Sequence, residues 1–243
     1  MTIDLRPPRP TEEAALRALF TEAFGDESFT ELFFRHGFSP NRCLAAFGED
    51  LLAALHWFDC TLEGQKAAYV YGIAAFKAHR GLGIGSKLID GALSHLKQLG
   101  YGPVFLVPAE PALFGYYERF GFRQVSTISQ RTVTAAAPIP VRRLNAAEYA
   151  ELRRAHLPAH SLIQEGPALA LLGGYAKLYA TDRAVAALSG DMVWELLGDL
   201  SDAPGLIAAL GLPQATVRTP GAGRPFAMGV NADAPVYLGL ALD

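Results

Sequence analysis

Between Tyr71 and Ser86 the chain reads YGIAAFKAHRGLGIGS. A basic corner, Lys77-Ala78-His79-Arg80, leads into glycine at every second place: Gly81, Gly83 and Gly85, with Leu82 and Ile84 between them and Ser86 after. The apolar run before this corner predicts a strand. After it, Leu88, Ile89, Ala92, Leu93 and Leu96 keep the spacing of an amphipathic helix. A strand, glycine loop and helix in this order point several backbone N–H groups and the positive end of a helix dipole at one spot. That spot suits an anion, above all a pyrophosphate. Glycine is needed there because a Cβ would hold the anion away and forbid positive φ. The pattern is neither G-x-G-x-x-G nor G-x-x-x-x-G-K-[ST]. The plain alternative is a glycine-rich turn that only packs helix against strand.

A second stretch, Leu113–Phe122 (LFGYYERFGF), brings two adjacent phenols, Tyr116 and Tyr117. A phenol with an ordinary pKa near ~10 stays protonated at neutral pH and can donate to a departing group. Glu110 lies seven residues before Tyr117. Its carboxylate could act as a base, hold an ammonium group, or simply complement the N-terminal end of a helix dipole.

These groups must be positioned by a chain of alternating elements. Thr2–Arg6 reads as a short strand stopped by prolines, and Thr11 as the cap of a helix reaching Phe24. Ser28 and Glu31 are spaced as a capping box for a second helix ending near Gly37. Strands are expected at Arg42–Phe47, Leu51–Leu62 and Gln65–Phe76, with hairpin turns at Gly48-Glu49-Asp50 and Glu63-Gly64. The helix after the glycine loop should stop at Gly100. A buried strand at Val104–Val107, a helix at about Pro111–Phe120 and a strand pair, Phe122–Ile128 and Arg131–Ala135, complete the first half.

Taken together, Arg80-x-x-Gly83-x-Gly85 and Tyr117-Glu118-Arg119-Phe120-Gly121-Phe122 resemble the GNAT superfamily of N-acetyltransferases, and the element order of residues 1–130 is similar too. The resemblance implies an α/β fold (α+β, mixed sheet) with acetyl-CoA as cosubstrate and no metal. It implies that backbone amides from Gly81 to Ser86 bind the pyrophosphate, with Arg80 at the corner and Ser86 capping the helix. It further implies that backbone groups of Ile73, Ala74 and Ala75 pair with the pantetheine arm like an added strand. Tyr117 takes the place of the general acid. Two departures stand out: Glu110 replaces a frequent asparagine, and no carboxylate lies on the strand before the loop. The base is then Glu110, His56, Asp59, a water chain or a group of the second half, or else the substrate arrives already neutral. Neither Cys43 nor Cys60 is near either motif in sequence, which argues against an acyl-cysteine.

The second half follows a linker-like stretch, Ala135–Pro140, and echoes the first. Val141–Arg153 parallels Leu5–Arg17, and Leu178–Leu188 parallels Leu44–Leu55. The division expected is residues 1–135 for the acetyltransferase unit and 136–243 for a degenerate GNAT-like unit without the phosphate loop. Three strands are expected at its end: 215–218, 226–230 and 236–242. This second unit could wall the acceptor pocket, mediate a homodimer contact, or only complete a core. Glu195 and Asp243 are carboxylates that could reach the first unit's cleft or remain surface charge.

At 243 residues the chain suits one large or two small domains. A net charge of −3 with no basic stripe argues against nucleic acid as the partner. Two cysteines form no disulfide framework, and His156 and His160 lack a third ligand. No apolar run approaches a membrane span. The expectation is a cytoplasmic enzyme that acetylates a small-molecule amine. The alternative is a non-catalytic acyl-CoA-binding sensor.

Overall fold

A computed structural model describes residues 2–233 and 235–240, so Asp243 lies outside the described residues. Pro7, Pro8 and Pro10 cannot continue a strand, and β1 accordingly spans Asp4–Arg6. Helices α1 (Glu13–Phe24) and α2 (Glu27–His36) follow. Their caps differ from the expected ones. Thr11 falls inside a short 3-10 turn, Pro10–Glu12. Asp26, not Ser28, caps α2: its carboxylate, a stronger acceptor than a hydroxyl, takes the Phe29 amide at 3.0 Å and the Ser28 hydroxyl at 2.7 Å.

Strands β2 (Cys43–Phe47), β3 (Leu51–Leu62) and β4 (Gln65–Ala75) form an antiparallel meander. The chain then passes through α3 (Ile84–Gln98), β5 (Val104–Leu106), α4 (Leu113–Glu118) and β6 (Arg123–Gln124). Neighbouring residues of β3 point to opposite faces, as the pleat requires. His56 meets Phe33 of α2 on one side, and Trp57 meets His95 of α3 on the other. Leu16, Leu19, Phe20, Phe33 and Phe34 fill the first interface, and Leu88, Ile89, Ala92 and Leu96 the second.

The remaining elements are β7 (Thr127–Thr134), β8 (Arg142–Leu144), α5 (Ala146–His156), β9 (Ile163–Gln164), α6 (Pro167–Tyr175), β10 (Lys177–Ala180), β11 (Ala184–Ser189), β12 (Met192–Gly198), α7 (Ala203–Ala209), β13 (Gln214–Pro220), β14 (Arg224–Pro225) and β15 (Met228–Val230). Two compact units result. The first runs to Arg123 and also takes Gly229–Ala232; the second holds Gln124–Met228 and the residues from Asp233. In the first, strands run β1-β2-β3-β4-β5-β15-β6; in the second, β14-β7-β13-β12-β11-β10-β8.

The echo in the sequence is an echo in topology. From β8 onward the second unit repeats the order of the first: a strand, two helices (here with the two-residue β9 between them), an antiparallel three-stranded meander, and a helix crossing to a strand parallel to the meander's last, β5 beside β4 and β13 beside β12. Leu196, Leu206, Ile207 and Val217 anchor the core of the second unit.

Four expectations need correction. The strand pair at 122–135 is instead the two-residue β6 and one straight strand, β7, whose residues Ile128–Thr134 all register with β13. Ser129-Gln130 has no turn chemistry, and a continuous antiparallel partner keeps β7 extended. The units accordingly divide ahead of β7 rather than at the Ala/Pro stretch. Among the last residues, 226–230 supplies only β15, after β14 at 224–225, and 236–240 contributes a single bridge, Tyr237 to Ser161. Glu195 is neither at a cleft nor on the surface. It is fully buried, with Arg153 Nε at 2.7 Å and the hydroxyls of Tyr149 and Tyr237 donating at 2.9 and 3.0 Å.

Candidate functional site

Gly83 is the N-cap residue of α3. It sits at φ 75°, ψ 4°, a left-handed conformation that leaves the helix without any side-chain cap. The first-turn amides of Ile84, Gly85 and Ser86 therefore have no side-chain acceptor, and they carry the positive end of a fifteen-residue helix. Gly81 turns the preceding corner, also at positive φ, and Leu82 stands 63 % exposed between the two. Arg80 braces the loop: its Nε donates to the Ala75 carbonyl at 3.1 Å, joining the corner to the end of β4. The Lys77 amide donates to the Glu22 carboxylate at 2.7 Å, a tie to α1 that no local pattern signals.

Ser86 does not cap the helix, because it lies inside the first turn, beyond the capping position. Its hydroxyl instead lies 3.3 Å from that of Tyr116. The Tyr116 hydroxyl of α4 thus reaches the first turn of α3 across a long separation in sequence.

Beside the loop the sheet opens. β4 and β5 pair only at Ala68–Val104 and Tyr69–Phe105, so Ile73, Ala74 and Ala75 lie beyond the last β5 partner. On its other edge β4 carries a bulge. Three steps from Tyr71 to Ala74 face two steps from His56 to Ala54, and Gly72 takes φ 65° there. Phe20 packs so close that a Cβ on Gly72 would stand 2.9 Å from its ring. The result is a backbone ledge at 73–75, open toward β5, ending at an uncapped helix.

Tyr117 is buried, 8 % exposed, with its ring 5.3 Å from Tyr116 and 6.1 Å from Phe122. Burial, with a smaller effect from Tyr116, pushes its phenol up to about 12. It stays protonated at neutral pH and remains a donor. Glu110 is exposed in the turn leading into α4, where its carbonyl accepts from the Leu113 amide at 3.0 Å. Asp59 is engaged, accepting from Arg42 at 2.7 Å and from Tyr101. Cys43 is buried and its thiol is pushed up to about 12 by burial, which removes thiolate nucleophilicity at neutral pH. Among the described residues no group of three or more His, Cys, Asp or Glu side chains is placed to hold a metal, and no helix is long and apolar enough to cross a membrane.

In the second unit the matching helix, α7, also lacks a side-chain cap, but no glycine loop precedes it: Pro204 removes one first-turn amide, and two carboxylates stand just ahead. The Asp199 carboxylate accepts from the Ser201 amide at 2.9 Å, and Asp202 is engaged by Thr181 and Arg183.

A mixed sheet split beside a glycine loop that opens an uncapped helix defines an acyltransferase-type α/β fold. The family model described as acetyltransferase (GNAT) domain matches residues 4–125, and the chain belongs to that family. No curated protein matches. Solved structures similar over 94 % of the chain include a GCN5-related N-acetyltransferase from Kribbella flavida (18 % identity, TM-score 0.69, 70 % of that chain) and Eis1 from Mycobacterium abscessus (15 %, 0.70, 73 %). A putative acetyltransferase from Pyrococcus horikoshii is similar over 98 % of this chain and 92 % of its own, at 15 % identity and TM-score 0.64. These likenesses show that the two-unit fold is shared.

Proposed function

We propose that the protein transfers the acetyl group of acetyl-CoA to the amine of a small molecule. The observation that carries this reading is the uncapped N-terminus of α3 beside an open stretch of β4. Amides from Gly81 to Ser86 hold the pyrophosphate, and Ile73, Ala74 and Ala75 offer ladder partners to the pantetheine amides. Bound there, acetyl-CoA supplies an activated thioester.

The chain's own groups then do three things. Backbone N–H groups at the Gly72 bulge face the developing oxyanion. Tyr117, kept protonated by burial, gives its proton to the departing thiolate sulfur. Glu110 is the exposed carboxylate on the α4 side that can take the amine's proton or hold its ammonium form. Titration calorimetry with acetyl-CoA tests the coenzyme step. The wild type should bind saturably, and Gly83→Glu should not bind, because a carboxylate and a strained positive φ then sit at the pyrophosphate position. Equal affinity in a folded variant would refute the cradle.

A second reading, a non-catalytic acyl-CoA sensor, is favoured by one observation: β4 carries no carboxylate. It requires tight acetyl-CoA binding without turnover of any amine.

A further inference from the structure

The glycine loop has a neighbour outside its own motif, the phenol of Tyr116. Its hydroxyl lies 3.3 Å from Ser86 Oγ, in the first turn of α3. The ring is held by those of Tyr117 and Phe120, each 5.3 Å away. The Arg119 guanidinium stands 5.7 Å from the same ring and keeps a positive charge beside it. Gly85 leaves room for this approach. It is not among the glycines at positive φ, so the backbone does not call for glycine there, but a Cβ would stand 3.4 Å from the Tyr116 hydroxyl.

Donors outnumber acceptors at this place. Lys87 is the first residue of α3 whose amide finds an acceptor, the Gly83 carbonyl at 3.2 Å. The amides of Ile84, Gly85 and Ser86 find none among the described residues. The two hydroxyls add a hydrogen each, and only one of these can lie between the two oxygens. The other is left, with the amides, for an acceptor from outside. An anion with several oxygens meets this surplus, and a further donor such as an ammonium does not.

We propose that Tyr116 is a ligand of the coenzyme diphosphate, with Ser86 as its partner, so that two hydroxyls join the loop amides on the phosphate oxygens. Neighbouring residues of a helix project about 100° apart. The two adjacent phenols then serve the two ends of the pantetheine arm, Tyr116 the diphosphate and Tyr117 the thiolate. This assignment rests on the reading of the loop as a coenzyme A site.

The test titrates the wild type, Tyr116→Phe and Ser86→Ala with coenzyme A by calorimetry, and with millimolar pantetheine by NMR shifts. Pantetheine has the arm and the thiol but no phosphate. Phenylalanine keeps the ring contacts, so the thermal midpoint of Tyr116→Phe should stay that of the wild type. Tyr116→Phe should weaken coenzyme A binding by about tenfold, the worth of one hydrogen bond to a charged group, and Ser86→Ala should weaken it too. Pantetheine should bind both variants as it binds the wild type. Coenzyme A affinity in Tyr116→Phe within about twofold of the wild type overturns the assignment. An equal loss for pantetheine overturns it as well, because the phenol would then act at the thiol end. A tenfold loss for coenzyme A alone supports the assignment even if no amine is acetylated, an outcome that would remove only the transfer reading. A wild type that does not bind coenzyme A overturns both.

Discussion

Replacing His56 by leucine should make the protein more stable, and most of all in acid. The imidazole is enclosed by aromatic rings, with Phe33 at 5.2 Å and Phe58 at 5.1 Å edge to face, and neither nitrogen has a partner. An unsatisfied buried polar group costs about 1–3 kcal/mol, which leucine, of similar size, does not incur. For a chain of this length that corresponds to a rise of roughly 2–12 °C in the midpoint.

The acid effect follows from the charge state. Burial, aided by repulsion from Arg42 and opposed by attraction to Asp59, holds the His56 pKa down at about 3 from its ordinary 6.5. Below pH 6.5 the unfolded chain takes up a proton that the folded chain refuses. Stability from this group is therefore intact above about 6.5 and declines as pH falls toward about 3. The slope is about 1.4 kcal/mol per pH unit, or about 2 kcal/mol lost by pH 5. Thermal and urea unfolding of wild type and His56→Leu from pH 4.5 to 8 would read both effects. The variant should lead modestly at pH 8, and its lead should widen as pH drops. A variant that melts lower at pH 8, or a lead that does not grow in acid, would refute the reasoning.

Other substitutions separate the parts of the site. Tyr117→Phe should lower turnover by roughly tenfold or more while acetyl-CoA affinity, read by calorimetry, is retained; unchanged turnover would remove the phenol from the chemistry. Gly72→Ala places a Cβ 2.9 Å from the Phe20 ring at positive φ, so it should cost roughly 1–3 kcal/mol in urea unfolding. A neutral result there would mean that the bulge relaxes freely. Glu195→Gln leaves Arg153 buried without its counter-charge and should destabilise the protein by about 3–5 kcal/mol, seen as a lowered urea midpoint.

Local chemistry made much of this legible. Glu63-Gly64 reads as a tight hairpin turn, and both residues take positive φ, at 50° and 80°. The glycines at 81 and 83 announce a turn before a helix, and α3 begins at Ile84. What escaped depended on distant partners. β7 looked like a hairpin because its partner β13 lies some eighty residues downstream, and no local signal told its residues to stay extended. Glu195 looked like one carboxylate on an exposed strand because Arg153, Tyr149 and Tyr237 come from two other segments. His56 could be named as a possible base, but its orphaned, aromatic surroundings come from α1 and α2. Tyr116 and Ser86 meet only in the folded chain, since they lie far apart in sequence.

The return of residues 229–232 to the first unit has a consequence for synthesis. β15 lies beside β5 in the sheet, yet the ribosome delivers it on the order of ten seconds after β5, at ordinary elongation rates. Until then the nascent chain carries the glycine loop on a sheet with one edge unfilled, the kind of edge that recruits foreign strands. A product released early, or clipped before Met228, would hold every residue of the loop and of α4 and still lack a strand of the unit that carries them. Completion of the first unit is thereby tied to synthesis of the second, and a truncated copy would expose an open strand edge.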